Sequence, residues 1–532
     1  MYLSPFSSDT GGMARPLVSL CMIVRDEEAF LPECLRRAAP AADEIVIVDT
    51  GSKDRTVEIA REAGARVLHF EWRDDFSAPR NFGLEHARGQ WILVLDADEH
   101  LEPGAPEEIR AVARDRRLGA CYLTFRNLHD GGRELRNLMA RMFRNAPEIR
   151  YQNLIHEQVA PAITRYCRAH DLKIGTIRAP VVHHGYTSLV AHGRAKRERN
   201  LRLFEKQFER HPDDPYSWYR YGDWLRSLRE AAVEAPDPFP ALERAHALLA
   251  ALPAADLRDK GYAPEVAGLL ALEHHRRGER DRALEVAREG LRHAERTPNL
   301  LYIAAGLALD AGQAGEALEL YRACRALGED PRVIPGQPGV TGHLAEAGAG
   351  RALAALGRLA EAAAALSGVV AAEPGYREGR AALAEVLLRQ DRPREALTHL
   401  LALLQEEPRA AGHWARAGDC LLRLGRPREA AAWLRKAQEA APRDDGVRVL
   451  RARAATALGA PDEALAILTE VPTTSMLASA VDVLRALAGD DVAPDADEVA
   501  RWSGPLRAAG RADWAERLAT RSGSPGPAAA RS

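Results

Sequence analysis

The sequence predicts two folds in series, an α/β domain at the N-terminus and an all-α solenoid of helical hairpins behind it. Three observations carry this. Short apolar runs alternate with amphipathic stretches from Leu17 to Leu95, the pattern of strands joined by helices. Beyond about Asn200 the pattern changes to Ala- and Leu-rich helices separated by Gly, Pro or Asp turns. Alanines recur there at a fixed interval, and 532 residues exceed what a single hydrophobic core organises.

Taken in order, Leu17 to Val24 is the first apolar run and stops at the charged Arg25-Asp26-Glu27-Glu28. Glu44 to Val48 is the second, ending at Asp49-Thr50-Gly51-Ser52, with Arg66 to Phe70 the third and Trp91 to Leu95 the fourth. Their length, β-branched content and polar stops favour strands over short buried helices. Helical stretches at Ala29 to Ala38, Arg55 to Ala63 and Ala78 to Ala87 fall between them. Strands and helices in alternation predict a parallel, right-handed sheet.

The second half is periodic. Ala283, Ala317, Ala362, Ala396, Ala430 and Ala464 stand in similar contexts with spacings of 34, 45, 34, 34 and 34. The near-identical segments Arg392-Pro-Arg-Glu-Ala396 and Arg426-Pro-Arg-Glu-Ala430 fix the register. Pro374, Pro408 and Pro442 each follow one of these alanines by 12 residues, and Gly350 and Gly418 precede two of them by 12. A 34-residue helix–turn–helix unit with small residues at the crossing is the tetratricopeptide pattern. The 45-residue gap predicts an insertion, placed in the Gly/Pro-rich loop from Gly328 to Gly342. The resulting expectation is a flexible N-terminus at 1–15, an α/β domain at 16–199, and connecting helices or a degenerate repeat at 200–260. The repeat array then runs over 261–480, C-terminal helices over 481–521, and a disordered tail over 522–532.

Bulk properties narrow the function. A formal net charge of -3 gives no electrostatic reason to expect nucleic acid or an anionic membrane as partner. Six scattered cysteines without a CxxC pair carry no zinc spacing and fit a reducing compartment. No run of eighteen apolar residues predicts membrane insertion, and residues 1–15 lack the apolar segment of a signal peptide. The expected location is the cytoplasm.

In open α/β sheets ligands bind beyond the carboxyl ends of the strands. The polar residues at those ends are Arg25, Asp26 and Glu27, then Asp49, then Asp96 and Asp98. Nothing resembles GxGxxG or GxxxxGK[ST], which argues against dinucleotide and P-loop binding. Two carboxylates two residues apart in extended chain point the same way, as hard oxygen ligands for Mg²⁺ or Mn²⁺ should. The alternative use, capping the helix led by Pro103, is better served by Glu102 and Pro103 themselves.

The runs Ser19 to Glu28, Asp43 to Thr56, Arg80-Asn81 and Trp91 to Glu99 together resemble an inverting family-two glycosyltransferase of the GT-A fold, over roughly residues 16 to 190. The text is most similar to the subgroup fused to tetratricopeptide repeats, which includes sublancin-type peptide S-glycosyltransferases. Lipopolysaccharide-core glucosyltransferases share its motifs. The resemblance implies a Rossmann-like mixed sheet followed by the all-α repeat solenoid, a nucleotide-sugar donor such as a UDP-sugar, and a divalent metal, Mn²⁺ or Mg²⁺.

It also implies roles. Arg25, Asp26, Glu27, Asp49 and Gly51 would hold the nucleotide, Asp49 at the base, and Arg80 would face the phosphates. Asp96 would face ribose or a metal-bound water and Asp98 the metal, with His183 of His183-His184-Gly185-Tyr186 as a further ligand. Glu157 of Leu154-Ile155-His156-Glu157 would deprotonate the acceptor, with His156 as the other possibility. Asp54 equally reads as the N-cap of its helix. A peptide or protein acceptor held by the repeats is one expectation. A lipopolysaccharide or lipid-linked saccharide is another, and an inactive repeat scaffold is the reading from a different class.

Overall fold

The computed structural model describes residues 15–129, 134–186, 194–258, 260–293, 297–328, 338–469, 478–488, 494–508 and 510–521. The expected flexible N-terminus, the disordered tail and most of the 328–342 insertion lie outside these residues. The chain divides into two compact units, one of residues 1–307 with 327–338 and one of 308–326 with 339–532.

The first unit is built on an eight-stranded sheet of order β3-β2-β1-β4-β7-β6-β8-β5. Strands β1 (Val18–Val24), β2 (Glu44–Asp49), β3 (Arg66–His69) and β4 (Trp91–Val94) are parallel neighbours. Helices α1 (Leu31–Ala38), α2 (Thr56–Glu62) and α3 (Ser77–His86) connect them. The expectation of a parallel sheet holds for this half only. β5 (Glu99–Leu101), β6 (Leu118–His129), β7 (Glu134–Arg144) and β8 (Lys173–Tyr186) make the sheet mixed, because β7 runs antiparallel to both β4 and β6. Helices α4 (Ala105–Ala113) and α5 (Ala160–Ala169) pack on its two faces.

The continuous apolar runs follow from burial on both faces. Leu20, Met22 and Leu93 join Leu31, Leu35, Ile109 and Phe125 in one core. Their neighbours Cys21, Ile92 and Val94 join Val46, Phe143 and Ile163 in another. Each fully buried Leu or Ile contributes about 1.5–3 kcal/mol, which fixes the register, since a one-residue slip exchanges the two sets.

Behind the sheet come α6 (Arg194–Arg210), α7 (Pro215–Glu230) and α8 (Phe239–Ala250). Asp214 caps α7 by accepting from the Tyr216 and Ser217 amides, with Pro215 at the first turn, where its missing N–H is harmless. Gln207 ties α6 to the sheet domain. It is fully buried, accepts the Leu154 N–H at 2.8 Å, and donates to Asn153 and to Ser217 at 3.2 and 3.1 Å. Phe204 packs beside it against Ile155, Tyr221 and Trp224.

In the second unit, helices 359–372, 393–406 and 427–440 each alternate with a partner helix. Ala362, Ala396, Ala430 and Ala464 are fully buried. A Cβ on Gly350 would meet Leu366 at 2.7 Å and one on Gly418 would meet Leu434 at 2.6 Å, so the crossing admits only glycine. The Trp414 indole N–H reaches back to the Pro408 carbonyl at 2.9 Å. The first unit repeats this between Trp218 and Pro212 at 2.7 Å. Among the described residues no helix is long and apolar enough to cross a membrane, and all six cysteines are free and buried.

Candidate functional site

The loops after β1 and β2 are laced together at the carboxyl edge of the sheet. Asp26 takes a left-handed φ of 55°. Its N–H donates to the Ser52 hydroxyl at 3.0 Å, while its carboxylate accepts the Lys53 N–H at 2.7 Å. The Glu27 N–H donates to the Thr56 hydroxyl at 2.7 Å. Asp49, buried at the end of β2, accepts the amides of Gly51 and Ser52 at 3.2 and 3.1 Å. Gly51 holds φ at +106°, a conformation that suits glycine. Asp54 accepts the Thr56 N–H at 3.0 Å, a helix-opening role.

After β4 the chain does not stay extended. The Glu99 N–H bonds back to the Asp96 carbonyl at 3.1 Å, and this turn sends Asp96 and Asp98 to different partners. That corrects the expectation that both carboxylates point one way, which assumed strand geometry up to Asp98. Asp96 accepts from Arg80 at 2.9 Å on one oxygen and from Arg141 at 2.8 Å on the other. The two guanidinium charges outweigh burial and hold Asp96 well below the usual carboxylate range. Arg80 also donates its Nε–H to Glu157 at 2.7 Å, and lies over the Tyr151 ring at 5.4 Å. Glu157 thus pairs with Arg80. Arg144 instead sits over Trp91 at 4.3 Å.

Asp98 Oδ2 stands 3.4 Å from His183 Nε2. The imidazole is aimed by two amides: Asn127 donates to Asn137 at 2.7 Å, which turns its oxygen toward His183 Nδ1 at 2.9 Å. Nδ1 is then the donor, and Nε2 faces Asp98. Burial opposes the charged imidazole, but the Asp98 hydrogen bond and charge raise its pKa above the ordinary value. Burial, then the charges of Asp98 and Asp96, push Glu27 up to about 7. These three acids therefore share one electrostatic neighbourhood. Among the described residues no three His, Cys, Asp or Glu side chains converge closely enough to enclose a metal alone. Asp98 and His183 together fit the incomplete donor set of Mg²⁺ or Mn²⁺, which usually take one or two protein ligands and complete their shell with water and substrate phosphate.

His156 lies apart from this edge. It takes φ 51°, its ring is 5.7 Å from Phe204, and its Nε2 is buried without a partner. Sequence reasoning did not single out Arg141, Glu99 and Asn127 as site residues, although Glu99 closes the run from Trp91. Glu99 is 1 % exposed and accepts from both Arg141 and the Asp96 N–H. Only the fold reveals that pairing, because 42 residues separate the two side chains.

Residues 19–169 match the glycosyl transferase family 2 model, and residues 381–445 and 421–487 match two tetratricopeptide repeat models. The chain joins a family 2 glycosyltransferase domain to tetratricopeptide repeats. It is 40% identical over 216 residues to a TPR repeat-containing protein of Synechococcus elongatus, covering 40% of this chain and 53% of the relative. It is 26% identical over 218 residues to the SPbeta prophage-derived glycosyltransferase SunS of Bacillus subtilis, covering 40% and 50%. The chain thus matches about half the length of these curated relatives. A tetratricopeptide repeat protein from Parabacteroides merdae aligns with 50% of this chain and 98% of its own, at 14% identity and a TM-score of 0.37.

Proposed function

We propose that this protein is a nucleotide-sugar-dependent, inverting hexosyltransferase, its catalytic domain spanning 16–199 and its repeats 261–480. The observation that carries the reading is the convergence of Asp49, Glu27, Asp96, Asp98, Glu157 and His183 around one sheet edge, in a domain that matches family 2. Asp49 and the turn at Gly51 would hold the base, and Arg25, Asp26 and Glu27 would line the nucleotide side. Asp98 and His183, with Asp96 behind them, would hold a divalent cation. When bound, that cation supplies charge neutralisation of the leaving diphosphate.

The remaining work falls to this chain's own side chains. Arg80, fixed by Asp96, orients Glu157 through a single Nε–H bond. The second Glu157 oxygen has no hydrogen-bond partner among the described residues and would accept the acceptor's proton during attack on the anomeric carbon. His156 is the weaker choice of base, since burial and the charge of Arg220 lower it to about 3. The concave face of the repeats would engage a peptide or protein acceptor. Six free cysteines suit a cytoplasmic setting.

The test is hydrolysis or transfer of UDP- and GDP-sugars with Mn²⁺, comparing the wild type with Asp98→Asn. Metal-dependent turnover that Asp98→Asn reduces at least 100-fold, about 2.7 kcal/mol of transition-state stabilisation, supports the reading. A purified protein that binds neither donor nor Mn²⁺ is a repeat scaffold instead.

A further inference from the structure

The loop that carries His156 and Glu157 is closed at its neck. Gln152 and Gln158 face each other there, each N–H donating to the other's carbonyl, at 3.0 and 2.9 Å. Between them Asn153 and His156 take left-handed φ values of 75° and 51°. Backbone turned this way persists only where the surroundings impose it.

Two walls impose it. The entry to α3 supplies one: the Phe76 N–H donates to the Leu154 carbonyl at 2.9 Å, and the Ser77 hydroxyl donates to the Asn153 carbonyl at 2.6 Å. The other wall is α6, which lies beyond the segment 19–169 that matches family 2. Its Gln207 side chain accepts the Leu154 N–H at 2.8 Å through Oε1, and donates through Nε2 to Asn153 Oδ1 at 3.2 Å and to Ser217 Oγ at 3.1 Å. Ser217 on α7 gives its own proton to Asp214. Its oxygen is therefore left to accept, which fixes the end of the Gln207 amide that points at Leu154. Ile155 is buried against Leu203 and Phe204 of the same helix. Glu157 follows two residues later and meets Arg80 at 2.7 Å.

We infer that Gln207 is a positioning residue for Glu157, so that the catalytic unit extends past residue 199 through α6 to Ser217 of α7. The inference rests on Glu157 being the base in the proposed function. It adds that helices behind the sheet domain decide where this carboxylate stands. Arg80 orients the carboxylate from the sheet side, while Gln207 holds the backbone that carries it. Without Gln207 the Leu154 N–H is a buried donor left unmade, and the loop shifts to satisfy it. A displacement of about 1 Å at a reacting group can cost on the order of 100-fold in rate.

The experiment is steady-state hydrolysis of UDP-glucose by the full chain with Mn²⁺, or of GDP-mannose should UDP-glucose not turn over. Water then replaces the acceptor: its oxygen bonds to C1, Glu157 takes its proton, and the nucleoside diphosphate leaves. The variants are Gln207→Met, Ser217→Ala, Glu157→Gln and the two doubles that join Glu157→Gln to each of the others. Gln207→Met keeps the side-chain length and should lower kcat at least tenfold, with KM for the donor within about threefold. Ser217→Ala frees the amide to turn and should lower kcat about threefold. In the Glu157→Gln background each should change kcat less than about twofold, because a residue that acts through Glu157 has nothing left to position. A loss of the same size in both backgrounds marks a merely structural role and overturns the inference. So does a rise in KM that matches the fall in kcat. If Gln207→Met does not fold, Ser217→Ala and its double carry the same test, and an unchanged kcat for Ser217→Ala overturns the inference. Should Glu157→Gln hydrolyse donor as fast as the wild type, the assignment of the base falls and this inference with it. Should Glu157→Gln be slow and Gln207→Met fast, this inference alone falls.

Discussion

Arg141 bridges two carboxylates with one nitrogen. Its Nη2 donates to Asp96 at 2.8 Å and to Glu99, with its own side chain 9% exposed. Arg141→Met keeps the volume and removes the charge. Asp96 retains Arg80, but Glu99 keeps only the Asp96 N–H at 3.0 Å. Removing one partner of a buried pair costs about 3–5 kcal/mol. The low end applies here, because burial already pushes Glu99 up to about 7 against the pull of Arg141, so protonation offers a partial escape. A raised carboxyl contributes stability that is full below its unfolded value and is lost as pH rises through the folded one. Without Arg141 that folded value moves higher still. At roughly 1.4 kcal/mol per pH unit, the penalty should be about 3 kcal/mol at pH 8 and about 1.5 kcal/mol at pH 6. Adding Glu99→Gln should recover about 1.5 kcal/mol at pH 8 and abolish the pH dependence. Because the chain has two units, a single global unfolding energy is ill-defined. Hydrogen exchange of peptides spanning 91–101 reads the local opening energy instead. A loss under about 1 kcal/mol at pH 8, or a double variant as unstable as the single, would refute the reasoning.

Two further outcomes test the packing and the acid response. Gly418→Ala drives a methyl to 2.6 Å from Leu434 and should cost about 1–3 kcal/mol, seen as faster proteolysis within 411–440. Gly368→Ala, in a helix where nothing lies within 4 Å of the added carbon, should gain up to about 1 kcal/mol and raise the melting temperature. His156 is lowered to about 3, so its contribution is present above its ordinary value and lost as pH falls toward 3. His156→Asn tolerates the left-handed backbone. It should reduce the stability lost between pH 7 and 4.5 by about 2 kcal/mol, measured by exchange of peptides spanning 151–159; an unchanged acid response would show that folding does not shift the pKa of His156.

How much of this was legible in the sequence depends on the range of the forces involved. The four parallel strands were legible because both sheet faces bury them, leaving continuous apolar runs that stop at polar loops. The repeats were legible because Gly350, Gly418 and the buried alanines recur wherever two helices touch. The mixed half was not, since β6, β7 and β8 are long strands carrying Arg126, Arg136, Arg141 and Arg178 among their apolar residues. Period and hydropathy blur there. The basic face of α6 was visible as text, but only the fold shows that Asp74 and Asp75 pair with Arg202, Lys206 and Arg210 on it.

The aspartates after β4 carry the larger lesson. Read as Asp-Ala-Asp they are equivalent, and a local rule gave both the same direction. The turn closed by the Glu99 N–H makes them unequal, and their partners come from elsewhere: Arg80 lies 16 residues upstream of Asp96, Arg141 lies 45 downstream, and His183 arrives on β8. Asp96, charge-balanced twice, acts as an anchor that fixes Arg80 and through it Glu157. Among the described residues Asp98 has no guanidinium partner and faces an imidazole 3.4 Å away. Substituting Asp96 should therefore disturb the orientation of Glu157 as much as any ligand, whereas substituting Asp98 should leave the Arg80 network standing. That difference allows the two carboxylates of one short motif to be separated by experiment.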